Sequence, residues 1–206
     1  MRNLPVAGAL AAAVLPWAVT AAEQAGGDDV EALKRRVAEL EQQVGELREA
    51  QQPARLVEQN RQAARARAAK DRETYSPEQL REIERLYQVA NRNWRSPEAV
   101  ASLEQLIGKF DKANRTGCAV LYLGQMSEGD QRLEYLRRAV EDFSDCYYLD
   151  GCQVGGYARL VLADTLERLG RKEEAAKLLE ELRTNYQSAT DHRGRRLADV
   201  IPKGGE

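Results

Sequence analysis

The stretch VGGYARLVLADTLERLGRKEEAAKLLEELRTNY, residues 154–186, decides the fold. Leu162, Ala163, Leu166 and Leu169 precede Gly170, and Ala175, Leu179 and Leu182 follow it, all at spacings of three, four or one. Apolar residues three and four apart share one face of a helix, and a glycine between two such runs marks a turn. The stretch therefore reads as two helices, 154–169 and 172–186, folded back on each other.

The same reading extends upstream. Ser76-Pro77-Glu78 and Ser96-Pro97-Glu98 are one start signal used twice. Serine accepts a bond from a free N–H, proline at the first helical position loses nothing, and glutamate suits the positive end of the helix dipole. Leu80, Ile83, Leu86, Tyr87 and Ala90 share a face after the first signal; Val100, Leu103, Leu106, Ile107 and Phe110 share one after the second. A further pair is expected at 118–127 and 130–144, with turns at Gly117, Gly129, Asp150-Gly151 and Gly170. No segment sustains the alternation of a strand. The expectation is an all-α chain with stacked antiparallel helical hairpins over 75–202.

Arg159, Leu162, Ala163, Leu166, Leu169-Gly170, Ala175, Leu179 and Leu182 together resemble the tetratricopeptide repeat. Arg159 stands where that pattern prefers Trp, and Gln187 where it prefers Pro. Leu123-Gly124 fit its first helix, with Gly129 two residues early. The resemblance implies a solenoid in which Ala163 and Ala175 sit where two helices cross. It also implies an inner groove presenting Tyr157, Leu160, Asp164, Glu167 and Arg168 to an extended peptide or a partner helix. The carboxylate-binding version of the repeat has Asn where Asp164 stands, so recognition of a chain-terminal carboxylate is not implied.

The first residues have another texture. Arg2 is followed by an uncharged run from Leu4 to Val19 and by the small residues Thr20-Ala21-Ala22. That layout predicts a secretory signal peptide over 1–22 and a periplasmic or secreted product, a retained anchor being the alternative. Val30, Leu33, Val37, Leu40, Val44 and Leu47 then form a heptad seam, Val at every a and Leu at every d position. This seam predicts a coiled coil over 28–52 and a homodimer or homotrimer, with Asp29 facing Lys34 and Arg36 facing Glu41 of a parallel neighbour. Pro53 is expected to end the pattern. Residues 54–74, rich in Ala, Arg and Gln, read as a basic linker or solvated helix because their apolar members follow no face. The order of segments is similar to that of periplasmic coiled-coil and repeat proteins of the Tol-Pal envelope system.

Composition bounds the chemistry. Lys+Arg 31 against Asp+Glu 33 leaves no basic footprint for nucleic acid. One His and three Cys exclude most zinc sites, and there is no Cys-x-x-Cys redox pair. No second apolar run follows the first, so no spanning segment is expected in the mature chain. In an exported chain Cys118 and Cys146 are candidates for a disulfide closing about 28 residues, worth roughly 3.5 kcal/mol. Cys146 with Cys152, or three buried thiols, are the alternatives. Tyr147 and Tyr148, flanked by Asp145 and Asp150, read either as a binding surface or as a packed corner. The expected function is an exported scaffold that oligomerises and binds a protein or peptide partner, without cofactor or catalysis. Two other readings stand beside it: an enzyme or metal protein using Asp145, Asp150 and His192, and an envelope spacer.

Overall fold

The computed structural model describes the backbone of residues 27–201 and the side chains of 30–47 and 51–201. The expected signal peptide, 1–22, and the side chain of Asp29 lie outside the described residues. The protein is all-α, with no strand among the described residues. No described helix is long and apolar enough to cross a membrane. The chain divides into two compact units, one reaching Gln52 and the other starting at Pro53.

Helix α1 runs from Gly27 to Thr74, so Pro53 lies inside a helix rather than ending one. Proline removes one i→i−4 bond and costs about 3 kcal/mol in a helix interior. The strong helix formers around it (Glu, Ala, Gln and Arg) carry the helix through. In the first unit, Val30, Leu33 and Val37 are half-buried, whereas Leu40, Val44 and Leu47 are 39%, 40% and 60% exposed. Lys34 and Arg36 form ion pairs along their own helix, with Glu31 at 3.0 Å and Glu39 at 2.9 Å.

The second unit holds three helical hairpins: α2 (Pro77–Arg92) with α3 (Pro97–Lys109), α4 (Asn114–Met126) with α5 (Gly129–Asp142), and α6 (Val154–Arg168) with α7 (Lys172–Asn185). A four-residue helix α8 (Leu197–Val200) follows. Both Ser-Pro-Glu signals act as expected. Ser76 accepts from Gln79 N–H at 3.3 Å while Gln79 accepts from Ser76 N–H at 2.9 Å, and Ser96 accepts from Ala99 N–H at 3.0 Å. One continuous core joins the hairpins, with Leu86, Leu103, Leu106, Leu121, Leu136 and Leu166 fully buried. Ala163 and Ala175 are buried within it. Arg159, where the repeat pattern prefers Trp, stacks its guanidinium 4.5 Å above the Tyr186 ring and pairs with Glu181 at 2.8 Å. Its planar head covers that ring face.

One repeated turn follows each hairpin. Phe110, Phe143 and Tyr186 each cap a helix C-terminus, and their carbonyls accept the N–H of Ala113, Cys146 and Ala189 at 3.1, 3.1 and 2.9 Å. Those three small residues are buried. Glycine faces two of them: a Cβ on Gly117 would lie 2.6 Å from Cys146 Cβ, and one on Gly156 2.9 Å from Ala189 Cβ. Gly117 is thus not the turn its composition suggests but a contact point inside α4, which starts at Asn114.

Residues 54–74 are not a solvated spacer. Asn60, Ala64 and Asp71 are buried, Arg67 is largely so, and all four lie on one helix face over the turns. The face is polar, which is why apolar periodicity misses it.

Candidate functional site

A groove of about 850 Å³ lies on the face of α6. Tyr157, Leu160, Asp164, Glu167 and Arg168 all line it, one helical turn after another. The wall opposite is Trp94 and Arg95, from the turn between α2 and α3, with Glu128 and Arg132 from the start of α5. Val161, Leu169, Leu179 and Val200 supply apolar floor and rim.

Local sequence explains each position. Asn93 and Ser96 close the ends of α2 and α3, leaving Trp94 and Arg95 to turn the chain. Arg95 takes φ 66°, the only non-glycine residue with positive φ among the described residues. A side chain in the left-handed region costs about 1–2 kcal/mol. Trp94 remains 43% exposed, its ring edge-on to Tyr122 at 5.0 Å. Arg132 is fixed by donating to Thr165 Oγ1 at 3.0 Å and to the Gln125 carbonyl at 3.3 Å. Arg168 donates to Asp164 at 3.1 and 3.2 Å, so these two charges neutralise each other. The side chains of Arg95, Glu128 and Glu167 make no hydrogen bond or ion pair among the described residues. The groove thus offers two aromatic rings, an apolar floor, and unpaired charges of both signs.

Tyr157 is held from behind by His192, whose ring stands edge-on to it at 5.2 Å and to Tyr148 at 4.6 Å. His192 Nδ1 is 2.7 Å from Asp150 Oδ2. Burial raises the Tyr157 phenol above its ordinary pKa, so at neutral pH it keeps its proton as a donor.

Other expected residues fall elsewhere. Tyr148 is buried and donates to the Cys118 carbonyl at 3.4 Å, so it is part of the core and not a contact surface. Tyr147 is half-buried, its N–H and carbonyl both bonded to the Asn114 side chain. Neither tyrosine lines the groove. Asp150 and His192 meet, but Asp145 turns away to Arg67 at 3.2 Å. Among the described residues no group of three or more His, Cys, Asp or Glu converges. The Cys118–Cys146 bridge is not formed. All three cysteines are free and buried; Cys118 Sγ lies 3.4 Å from the Tyr147 carbonyl, while Cys146 Sγ faces Arg67 and Asp145. Burial pushes the Cys146 thiol up to about 12 and raises Cys118 and Cys152 as well, so none is a ready nucleophile.

Trp94, Arg95, Glu128 and Arg132 are wall residues of the groove that the sequence reading missed. A Trp between two helix caps was the available signal, since nothing in a two-residue turn buries an indole. Comparison with family models, with curated proteins and with solved structures finds no match to this chain.

Proposed function

We propose that this chain is an exported helical-repeat scaffold that self-associates through 28–52 and holds an extended segment of a protein partner in the α6 groove. The observation that carries the reading is the convergence of Tyr157, Leu160, Asp164, Glu167 and Arg168 on one cavity, facing an exposed Trp94. Clefts with aromatic and apolar walls and a few unpaired polar groups are the usual shape of a recognition site. Exposed Leu40, Val44 and Leu47, at heptad spacing, support the pairing of helices from different copies. Joining two or three modest grooves raises apparent affinity without new contacts. No catalytic step is assigned: Asp150 and His192 support Tyr157, and the nearby thiols are protonated.

Site-specific photo-crosslinking in the source cells tests the groove. A crosslinker at Leu160 should capture a discrete protein, and one at Arg137 on α5, outside this groove, should not. Trp94→Ala should abolish the Leu160 adduct. Equal capture from both positions, or an adduct indifferent to Trp94, would reject the groove.

A further inference from the structure

The polar face of α1 over 54–74 meets the turns that follow the three hairpins in an ordered series. Asp71 Oδ2 accepts the backbone N–H of Asn114 at 2.9 Å, at the start of α4. Ala113, the N-cap residue of α4, makes no side-chain cap bond, so this carboxylate arriving from 43 residues away is its cap. One helical turn earlier, Arg67 bonds Asp71 at 2.6 Å and the Lys112 carbonyl at 2.9 Å, and pairs with Asp145 at 3.2 Å. It thereby joins the first turn to the second. Two turns earlier still, Asn60 donates to the Ser188 carbonyl at 2.7 Å and to Thr190 Oγ1 at 3.2 Å, reaching the third. Between them the backbone at Asn60 and Arg61 approaches Gly151, where φ is 97° and a Cβ would lie 2.9 Å from Arg61 N.

We infer that residues 54–74 form a detachable latch on this rim, addressed by Asn60, Arg67 and Asp71, which can leave while the three hairpins stay folded. The two parts differ in what they bury. Within 54–74 Ala64 is the only buried apolar side chain, whereas the hairpins and their turns bury 27 apolar residues in one core. Burial of apolar area is the main stabilising term, and a small alanine supplies little of it. Buried ion pairs add little net stability, because desolvation offsets their attraction. Arg67 shows the balance: its Nε is buried without a hydrogen bond although Asp145 is near. The latch is therefore specific in address and weak in grip. Once undocked, it exposes polar groups that water satisfies, and it uncovers the Cys146 sulfur that Arg67 faces. Segments with few buried apolar contacts open at lower free energy than the global value.

Mass-spectrometric hydrogen exchange on the full chain tests this, with two variants. Asp71→Asn removes a charge from the address and weakens the α4 cap. Ala64→Glu levers the helix off without altering any of the residues that address the rim. Both variants should speed exchange over 57–72 at least about tenfold and leave 118–124 and 158–166 within about twofold of the wild type. Beyond these segments, faster exchange is expected only at 114–117, where either variant weakens or removes the Asp71 cap. If Ala64→Glu accelerates the hairpin helices as much as 57–72, the helix is an integral part of the core and the latch is wrong. Unchanged exchange over 57–72 in either variant overturns it equally.

Discussion

Nδ1 of His192 lies 2.7 Å from Oδ2 of Asp150, 42 residues away, and this contact ties the turn after α5 to the turn after α7. Asp150 Oδ1 also accepts the N–H of Cys152 at 3.0 Å. Burial works to raise this carboxyl, but the bonds from His192 and Cys152 outweigh it and hold it below the ordinary aspartate value. A depressed carboxylate stabilises the fold above its unfolded pKa of about 3.9, and that contribution is lost as pH falls through the lower folded value. Asp191 behaves alike: burial opposes ionisation, and the N–H groups of Arg193 and Arg195 with the Arg195 guanidinium favour it.

Thermal melts from pH 7 to pH 2.5 should show wild type more stable than Asp150→Asn at neutral pH, the difference closing below about pH 4. Groups facing His192 are Asp150, Tyr148 and Tyr157, with Cys152, Asp191 and Arg195 close behind. The chain has a single histidine, so its imidazole signal in NMR is unambiguous. That signal should move in Asp150→Asn and in Tyr157→Leu.

Gly117→Ala should destabilise by about 1–3 kcal/mol, since a methyl there collides with the buried Cys146 side chain at 2.6 Å. Gly108→Ala, in α3 with nothing within 4 Å, should stabilise by about 0.5–1 kcal/mol. Denaturant titrations of the two variants give the opposite signs directly.

Arg95→Gly separates stability from recognition. Relief of the left-handed strain outweighs the added chain freedom by about 0.5 kcal/mol. The variant should melt slightly higher and yet lose the crosslinked partner at Leu160. A loss of both would make Arg95 a structural residue.

Leu40→Asp should convert an oligomer into a monomer in sedimentation equilibrium of the full chain, because a charge at a d position is placed in the seam. Sedimentation unchanged by the substitution rejects the pairing of 28–52.

Thiol reagent should label none of the three cysteines in the native protein within minutes, and all three after denaturation without reductant. Only one labelled thiol after denaturation would mean that two had formed a bridge.

Local rules made the hairpins legible. The Ser-Pro-Glu starts, the three-and-four spacing of Leu162 to Leu182, and the turn at Gly170 are all set by neighbours in sequence. So was one wall of the groove, because Tyr157, Leu160, Asp164 and Arg168 share a helix face. Its other wall was not, since Trp94 and Arg95 approach α6 only through tertiary packing. Asn60, Arg67 and Asp71 escaped for a different reason: a buried polar face has the same composition as a solvated one. Tyr148 shows the converse, an unusual local composition with nothing but a packing role.

The latch also bears on how such a protein can change over generations. Arrays of repeats ordinarily lengthen or shorten by copying or dropping one module. Here three successive junctions are matched to Asn60, Arg67 and Asp71, positions fixed along a helix that rises about 1.5 Å per residue. An extra hairpin inserted among the three would move one junction beyond its partner, and a missing one would strand it. The helix acts as a tally stick: lengthening beyond α7 leaves the three matched positions as they are, whereas insertion among the hairpins does not.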